Sequence, residues 1–300
     1  LTWKGDPLPM DILHQWGQKV ISFESQGGAI TLADILTYHN GEMWPIKTGD
    51  PAQPVGLRII LPDIAGEESD THRDLAIVPD SRPEFYDFDL FHQPGQVPEL
   101  DNQPLDELTY TVFDTETTGL NPAAGDEIIS IGAVRIVNNR ILAHERFEQL
   151  VNPMKKLSWE SIQIHGIVDD MLADQPLIDK VLPRFERFAR GTVLVAHNAA
   201  FDMRMLQLKE KTTGIQFDNP VLDTMLLSAV VHPAHDNHNL TAIARRLGID
   251  ITGRHTAIGD AIATGEILLK LIPLLAKKGI HTLKTAREAS EQTYYARLKY

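Results

Sequence analysis

Hydrophobic and polar residues follow two different periods along this chain, and the two periods predict its elements. In the first part, apolar residues at helical spacing predict a helix over 10–26, and a cap at Thr31 with a stop at Asn40-Gly41 predicts another over 31–38. Strands are predicted over 42–46 and 56–61, on either side of a Gly/Asp/Pro turn region. From residue 110 onward the pattern becomes that of an α/β protein. The elements predicted there are strands at 110–114, 127–137 and 141–151, a helix at 176–190, a strand at 192–196, and helices at 201–213, 223–231, 239–247, 256–279 and 281–299.

The order of these elements predicts the fold class. Asn138-Asn139 is a hairpin-type connection, so the first three strands after residue 109 form an antiparallel meander with the strand 110–114 at one margin. Three strands followed by a helix, a strand and further helices is a ribonuclease-H-like order, and no G-x-G-x-x-G occurs. We therefore expect an α/β, ribonuclease-H-like mixed sheet flanked by helices, preceded by a small α+β module and an extended Pro-rich linker.

Composition and element order divide the chain into four segments. We expect a small acidic module over 1–78, a Pro-rich acidic linker over 79–108, the α/β domain over 109–280, and a C-terminal helix over 281–300. Aromatic residues in the linker alternate with acids that would repel phosphates, so they predict packing against a neighbouring domain rather than base stacking. These aromatic residues are Phe85, Tyr86, Phe88 and Phe91.

The net charge of −13 is unevenly distributed. Residues 1–108 hold 6 Lys and Arg against 19 Asp and Glu, whereas residues 109–300 hold 22 of each. If four of the later acids bind metal, the remaining surface of that part is mildly basic, which is compatible with a nucleic-acid partner.

The composition also limits the protein's environment. With no Cys, disulfides and thiolate metal sites are excluded, and no apolar run is long enough to span a membrane. We expect a cytoplasmic protein. The chain begins at Leu1 and resembles a fragment, so an upstream targeting or membrane segment stays open.

The first candidate site ends a predicted buried strand. Asp114 and Glu116 are two residues apart, so on a strand both carboxylates project to the same side. Two acids held together repel each other unless a cation lies between them, and Mg²⁺ prefers oxygen ligands of this kind. The alternative is a strand end with two solvated acids; the longer run Asp-x-Glu-Thr-Thr-Gly is rarer by chance and favours the cation site.

Two further acids stand in comparable positions. Asp202 ends the run His197-Asn-Ala-Ala-Phe-Asp202 and falls in the first turn of a predicted helix, where an acid is often only a partner of the helix dipole. Asp260 lies on the apolar face of another helix, where a buried charge needs a partner. His255 precedes it by five residues in a Gly-containing loop.

Together these three runs resemble the motifs of the DEDDh 3′–5′ exonucleases, a family that includes the proofreading epsilon subunit of bacterial DNA polymerase III. The resemblance covers residues 109–275, and the segment Ile164-His-Gly-Ile167 is also similar. It implies hydrolysis of phosphodiester bonds at single-stranded 3′ ends, with release of nucleoside 5′-monophosphates. The implied cofactors are two divalent cations, Mg²⁺ or Mn²⁺.

The resemblance also implies a role for each residue. The ions are held by four carboxylates, with Asp114 shared between both, and His255 takes a proton from the attacking water after its loop closes over the substrate. The metal ligands are Asp114, Glu116, Asp202 and Asp260, and the substrate contacts are Thr117, Leu120, His165, Asn198 and Phe201. For Leu120 and Phe201, plain core packing is the alternative.

The sequence leaves the nucleic acid open. DNA is the expected substrate and an RNA-trimming activity is the alternative, because single-strand ends of either kind are gripped mainly by backbone contacts and stacking. A non-catalytic binding or scaffolding module is a rival of another class. All five catalytic residues are present, which argues against that rival.

Two further segments suggest additional sites. Between His39 and Pro62 the chain resembles the C-terminal end of histidine-kinase ATPase domains without their ATP-binding boxes, so we expect a protein partner there rather than ATP. The spacing of His232, His235 and His238 suggests zinc, but it is loose for a zinc site, and Asn239 is better explained as a helix cap.

Overall fold

The computed structural model divides the chain into two compact units, Leu1–Asp74 and Leu75–Tyr300. It describes residues 100–293 and 296, and before them only five strands. These strands are β1 (Thr2–Trp3), β2 (Val20–Ser22), β3 (Ala29–Thr31), β4 (Glu42–Ile46) and β5 (Val55–Ile60).

The strands of the first unit form two antiparallel arrangements, β1-β5-β4 and β2-β3. The predicted strands over 42–46 and 56–61 are confirmed within one residue. The predicted helix over 10–26 is wrong at β2, because the β-branched pair Val20-Ile21 forms an antiparallel ladder with β3. The rest of that helix, residues 32–38 of the next one and residues 79–99 of the linker lie outside the described residues.

The second unit is built on a five-stranded mixed sheet in the order β10-β9-β6-β7-β8. Strands β9 and β10 run parallel to β6, whereas β7 pairs antiparallel with both β6 and β8. The strands are β6 (Tyr110–Thr117), β7 (Ile128–Val137), β8 (Arg140–Leu150), β9 (Val193–Ala196) and β10 (Val221–Asp223). The expected ribonuclease-H-like mixed sheet is thereby confirmed.

Strand β6 lies at the centre of this sheet. It is at the margin of the meander, as expected, but the sheet continues beyond it, because the helical crossover after β8 returns the chain as β9 alongside β6. Every residue of β6 is buried. The two acids at its end are therefore carried on a strand that is hydrogen-bonded on both sides.

Helices cover both faces of the sheet. The predicted helix over 201–213 is divided into two, and two short helices and strand β10 were not predicted. The helices are α1 (Trp159–His165), α2 (Asp169–Leu172), α3 (Ile178–Ala189), α4 (Ala199–Gln207), α5 (Glu210–Thr213), α6 (Thr224–Val231), α7 (Leu240–Leu247), α8 (Ala257–Ala276) and α9 (Leu283–Glu291).

The core has one layer on each side of the sheet. On one side Val112 and Ile136 pack with residues of α8, including Leu268. On the other side Phe113 packs with α3 and α4. There the ring of Phe185 lies about 5.5 Å from the rings of three other phenylalanines, so it ties the helix α3 to the sheet.

Residues 100–108 pack against this domain, although the sequence assigned them to the linker. Leu105 and Leu108 are buried in the same core layer as Leu283 of α9. The Leu105 backbone N–H donates to the His281 carbonyl at 2.8 Å, and the Tyr110 hydroxyl donates to the Leu105 carbonyl. This end of the segment and the C-terminal helix therefore hold each other in place.

Among the helices of the described residues, none combines the length and the apolarity needed to cross a membrane.

Phe185→Ala is expected to destabilise the domain by about 3–5 kcal/mol, since it removes a buried ring at the meeting point of α3, β6 and β8. Urea unfolding of the purified protein measures the change. Phe188→Ala, on the partly exposed side of the same helix, is the matched control and should cost clearly less. Equal losses would contradict this account of the packing.

Candidate active site

The carboxylates of Asp114 and Glu116 project from the same side of β6, as their spacing predicts. Both are buried, with 8% and 4% of their surfaces exposed. In the adjacent strand β7 they stand opposite Gly132 and Ser130. The strand therefore fixes their separation through backbone hydrogen bonds alone.

Helix α8 brings the third acid to this pair. Thr256 caps the helix by accepting a hydrogen bond from the Gly259 N–H at 3.1 Å, and Asp260 follows in the first turn. One oxygen of Asp260 lies within 4.8 Å of oxygens from Asp114 and Glu116. Three buried carboxylates at this separation form a donor set that fits a hard divalent cation such as Mg²⁺ or Mn²⁺.

Gly132 permits this convergence. A Cβ atom at this position would lie 2.3 Å from the Ala257 carbonyl carbon and 2.3 Å from the Ile258 nitrogen. The first turn of α8 therefore rests directly on the backbone of β7, opposite Asp114. A side chain at Gly132 would push the helix, and Asp260 with it, away from the sheet.

Asp202 lies beside this cluster but does not belong to it. It is fully buried in the first turn of α4, and its Oδ1 accepts hydrogen bonds from the backbone N–H of Thr115 at 3.1 Å and from the Thr115 hydroxyl at 2.5 Å. Thr115 separates Asp114 from Glu116 along the strand. The structure therefore brings three of the four expected ligands together and holds the fourth, from α4, against Thr115 of the same strand.

Asp223 positions the turn before α4. Its carboxylate accepts hydrogen bonds from the N–H groups of Asn198 and Ala199, each at 3.0 Å, and from that of Met225 at 2.8 Å. Asn198 adopts a left-handed conformation with φ of 59°. Burial raises the pKa of Asp223 to about 6, against the opposing effect of these N–H donors.

Asp126 fixes the turn that follows β6. Its carboxylate accepts hydrogen bonds from the Thr118 hydroxyl at 2.9 Å and the Asn121 N–H at 3.0 Å. A Cβ atom at Gly119 would lie 2.4 Å from the same carboxylate. Partial burial by itself would raise the pKa of Asp126. The hydrogen bonds that its carboxylate accepts, of which that from Asn121 has the largest effect, outweigh burial and lower the pKa below the ordinary value. The turn thereby presents Leu120, which is 42% exposed.

His255 lies in the turn immediately before α8, with φ of 63°. The preceding residue, Arg254, forms an ion pair with Asp260 through its Nη1. Gly259 must lack a side chain, since a Cβ atom there would lie 2.1 Å from the Gly253 carbonyl oxygen. The expected Gly-containing loop is thus a tight turn packed against the start of the helix.

A cavity of about 390 Å³ is lined by the three clustered carboxylates, by His255 and by the turn after β6. Eight of the ten residues that the sequence predicts for the site line it, namely Asp114, Glu116, Thr117, Leu120, His165, Asn198, His255 and Asp260. The remaining lining residues are Gly119, Ser161, Ile164, His197, Met225, Asp236, Asn237, Asn239, Leu240 and Arg254. His165 is oriented by the Ile167 N–H, which donates to its Nδ1 at 3.0 Å.

Phe201 does not reach this cavity. It is 2% exposed and packs in the core layer between the sheet and α4. For Phe201 the structure therefore supports the core-packing alternative, whereas Leu120 is exposed at the cavity. Phe201 lies on the apolar face of α4, and that face packs against the sheet rather than lining the cavity.

The histidines that suggested zinc serve another purpose. His238 is buried, its Nδ1 lies 2.9 Å from the Ser228 hydroxyl, and its Nε2 lies 2.9 Å from the His235 carbonyl oxygen. Within the described residues, the acids at 114, 116 and 260 form the one group able to hold a metal ion. The histidine loop instead presents Asp236 and Asn237 to the cavity.

Sequence reasoning missed the roles of Asp223 and of this loop. The run Val221-Leu222-Asp223 has the pattern of a short buried strand that ends in an acid, which is the same signal that identified Asp114. The loop between α6 and α7 had no comparable signal, because its approach to the site depends on the packing of the two helices.

Comparison with known proteins agrees with this geometry. The family model RNase_T, described as "Exonuclease", matches residues 111–268, which is more than half of the chain. The chain is 42% identical over 284 residues to a DNA polymerase III subunit epsilon-like protein of Rhodobacter capsulatus, covering 94% of this chain and 39% of that protein.

Two further similarities concern the domain alone. The chain is 42% identical over 176 residues to a PolC-type DNA polymerase III of Bacillus cereus, covering 58% of this chain and 12% of that protein. The structure of the nuclease domain of 3′hExo, a DEDDh family member, bound to rAMP superposes with a TM-score of 0.51 at 18% identity, covering 60% and 97% of the two chains. The structural similarity to 3′hExo shows that the two domains share a fold. The chain spans well under half the length of both curated relatives.

Gly132→Ala is expected to weaken Mn²⁺ binding about tenfold or more, because the added methyl group displaces the first turn of α8. Calorimetric titration with Mn²⁺ measures the affinity. Gly265→Ala, farther along α8, is the matched control, since its Cβ atom would meet only the ends of the Ile141 and Ile136 side chains, at 3.3 and 3.4 Å. Unchanged Mn²⁺ affinity in Gly132→Ala would refute the proposed role of this approach.

The contribution of Asp223 to stability should depend on pH. Its pKa is raised on folding, from an ordinary value of 3.8 to about 6, so its proton binds more tightly in the folded state. The stability difference between wild type and Asp223→Asn is therefore largest below pH 4 and falls by up to about 3 kcal/mol as the pH rises through 6. Urea unfolding at pH 4.5 and 7.5 measures it; a difference that increases with pH would contradict the assignment.

Proposed function

Since the chain belongs to the exonuclease family, we propose that it is a metal-dependent 3′–5′ exonuclease acting on single-stranded ends, with DNA as its substrate. The supporting observation is the convergence of three buried carboxylates, from β6 and α8, in one cavity with His255. The products are nucleoside 5′-monophosphates. The names of the two curated relatives, both DNA polymerase III proteins, support DNA as the substrate.

We assign the metal sites to two Mg²⁺ or Mn²⁺ ions. Asp114, Glu116 and Asp260 would hold the ions through their converging oxygens, and Asp202, held against Thr115 beside this cluster, would be the fourth carboxylate. When bound, such ions acidify a water molecule and neutralise charge on the phosphate. Burial of the carboxylates supports this assignment, because like charges gathered in a buried site repel one another and divalent cations offset that repulsion.

His255 is the general base of the proposal. Its imidazole accepts the proton that the attacking water loses, which is a suitable task for a side chain whose ordinary pKa lies near neutrality. It borders the cavity and is half-buried, in a turn that precedes Asp260 by five residues. The rigid start of α8 therefore sets the distance between the base and the carboxylates.

The terminal nucleotide is held by residues around the cavity. The turn after β6 places Thr117 and Leu120 at one side of the cavity, and His165 and Asn198 also line it. Leu120 packs against the base, since an exposed apolar side chain at a cavity gains by covering an aromatic ring. Phe201 contributes from beneath, by packing α4 against the sheet.

The experiment is digestion of a 5′-labelled single-stranded oligonucleotide with Mn²⁺, read as progressive shortening from the 3′ end and release of nucleoside monophosphate. Asp114→Asn should reduce the rate to below about one thousandth. His255→Ala should reduce it by about 10²–10⁴-fold while Mn²⁺ binding is retained. Asp179→Asn, a half-exposed acid on α3, is the control and should leave the rate unchanged.

Matched substrates decide the remaining alternatives. A 3′-blocked oligonucleotide and a circular single strand should both stay intact, and DNA should be degraded faster than RNA of the same sequence. Faster degradation of RNA would replace the DNA assignment with an RNA-trimming one. Binding of the oligonucleotide without any release of nucleotide would instead identify a non-catalytic module.

A further inference from the structure

The basic side chain of Arg254 forms an ion pair with the carboxylate cluster. Its Nη1 donates to Oδ2 of Asp260, and the side chains of Arg254 and Asp260 are 25% and 7% exposed. Arg254 lies in the turn between Gly253 and His255, both of which have positive φ angles. The side chain of Arg254 is thus partly exposed while its partner is buried.

The position of Arg254 conflicts with metal binding at the same oxygen. An ion bound to this carboxylate would place a second cation beside the guanidinium, and repulsion between the two would weaken the ion pair between Arg254 and Asp260. A divalent ion also interacts with Asp114 and Glu116 at once, whose oxygens lie within 4.8 Å of Asp260. The attraction of the ion to three carboxylates would outweigh that of the guanidinium to one, so Arg254 would be released from Asp260 when the ion binds.

The cavity offers Arg254 a second partner. Among the described residues that line it, Arg254 is the sole Lys or Arg, whereas four are acids, Asp114, Glu116, Asp236 and Asp260. A nucleotide phosphate in this cavity therefore meets one permanently charged protein cation. A planar guanidinium suits that task, because it binds two phosphate oxygens at once.

We propose that Arg254 is a positioning residue that exchanges partners: it neutralises Asp260 in the metal-free protein and binds the nucleotide phosphate once a metal ion holds Asp260. This inference rests on the proposed function, because it requires the metal and the nucleotide to share the cavity. The exchange makes metal binding and nucleotide binding cooperative. It also keeps the carboxylate cluster partly neutralised before the ion arrives.

The exchange predicts changes of opposite sign in Arg254→Gln. Mn²⁺ alone should bind about three- to tenfold more tightly, since a competing cation is removed. Thymidine 5′-monophosphate, titrated at saturating Mn²⁺, should bind about tenfold more weakly. A purely structural role for Arg254 would instead weaken both. Arg254→Lys, which keeps the charge but not the planar fork, should bind Mn²⁺ as the wild type does and still bind the nucleotide more weakly.

Calorimetry of the full chain measures both affinities, and melting temperatures with and without Mn²⁺ show that each variant is folded. Arg245→Gln, the same substitution at an exposed position on α7, is the matched control and should change neither affinity. Unchanged or weaker Mn²⁺ binding in Arg254→Gln, or unchanged nucleotide binding, overturns the exchange. If the wild type binds no Mn²⁺, the proposed function fails together with this inference.

Discussion

Electrostatic repulsion between three buried carboxylates is the constraint around which the second unit is arranged. Oxygens of Asp114, Glu116 and Asp260 lie within 4.8 Å of one another. At an effective dielectric constant of about 20, each pair of unit charges at that distance repels by roughly 3 kcal/mol. Residues free to move would separate. The acids stay together because their backbones belong to a central buried strand and to a 20-residue helix.

The supports of the site follow from the same constraint. Gly132 lets α8 rest on the sheet, so the helix cannot retreat without losing the core contacts of its apolar face. Strands β6, β9 and β10 are parallel and end at the same edge, where each supplies polar groups: Glu116, the turn at His197-Asn198, and Asp223. Backbone N–H groups donate to both Asp202 and Asp223, and the Thr115 hydroxyl also donates to Asp202. The site is consequently rigid where the acids lie.

Charge neutralisation links this rigidity to function. The cavity is lined mostly by polar and acidic groups, with Arg254 as its single permanent cation among the described lining residues. Such a cavity repels a nucleotide until divalent ions reverse its charge, so metal and substrate are expected to depend on each other. The acidic excess lies in residues 1–108, whereas the domain with the cavity is neutral overall.

The sequence by itself determined which acids could act together within an element. Alternation on a strand placed Asp114 and Glu116 on one side, and helical spacing placed Asp260 at the start of an apolar helix, because both periods are local properties of the chain. The same patterns predicted most elements of the second unit. They failed at Val20–Ser22, where pairing with the strand Ala29–Thr31 decided the conformation.

Only the tertiary structure decided how elements approach one another. The central place of β6, the contact of α8 with Gly132, the turn of Asp202 toward Thr115 and the burial of Phe201 all depend on distances between segments far apart in sequence. The partner of Arg254 was likewise invisible in the sequence. Periodicity reports which side of an element a residue occupies, whereas packing between elements determines what that side faces.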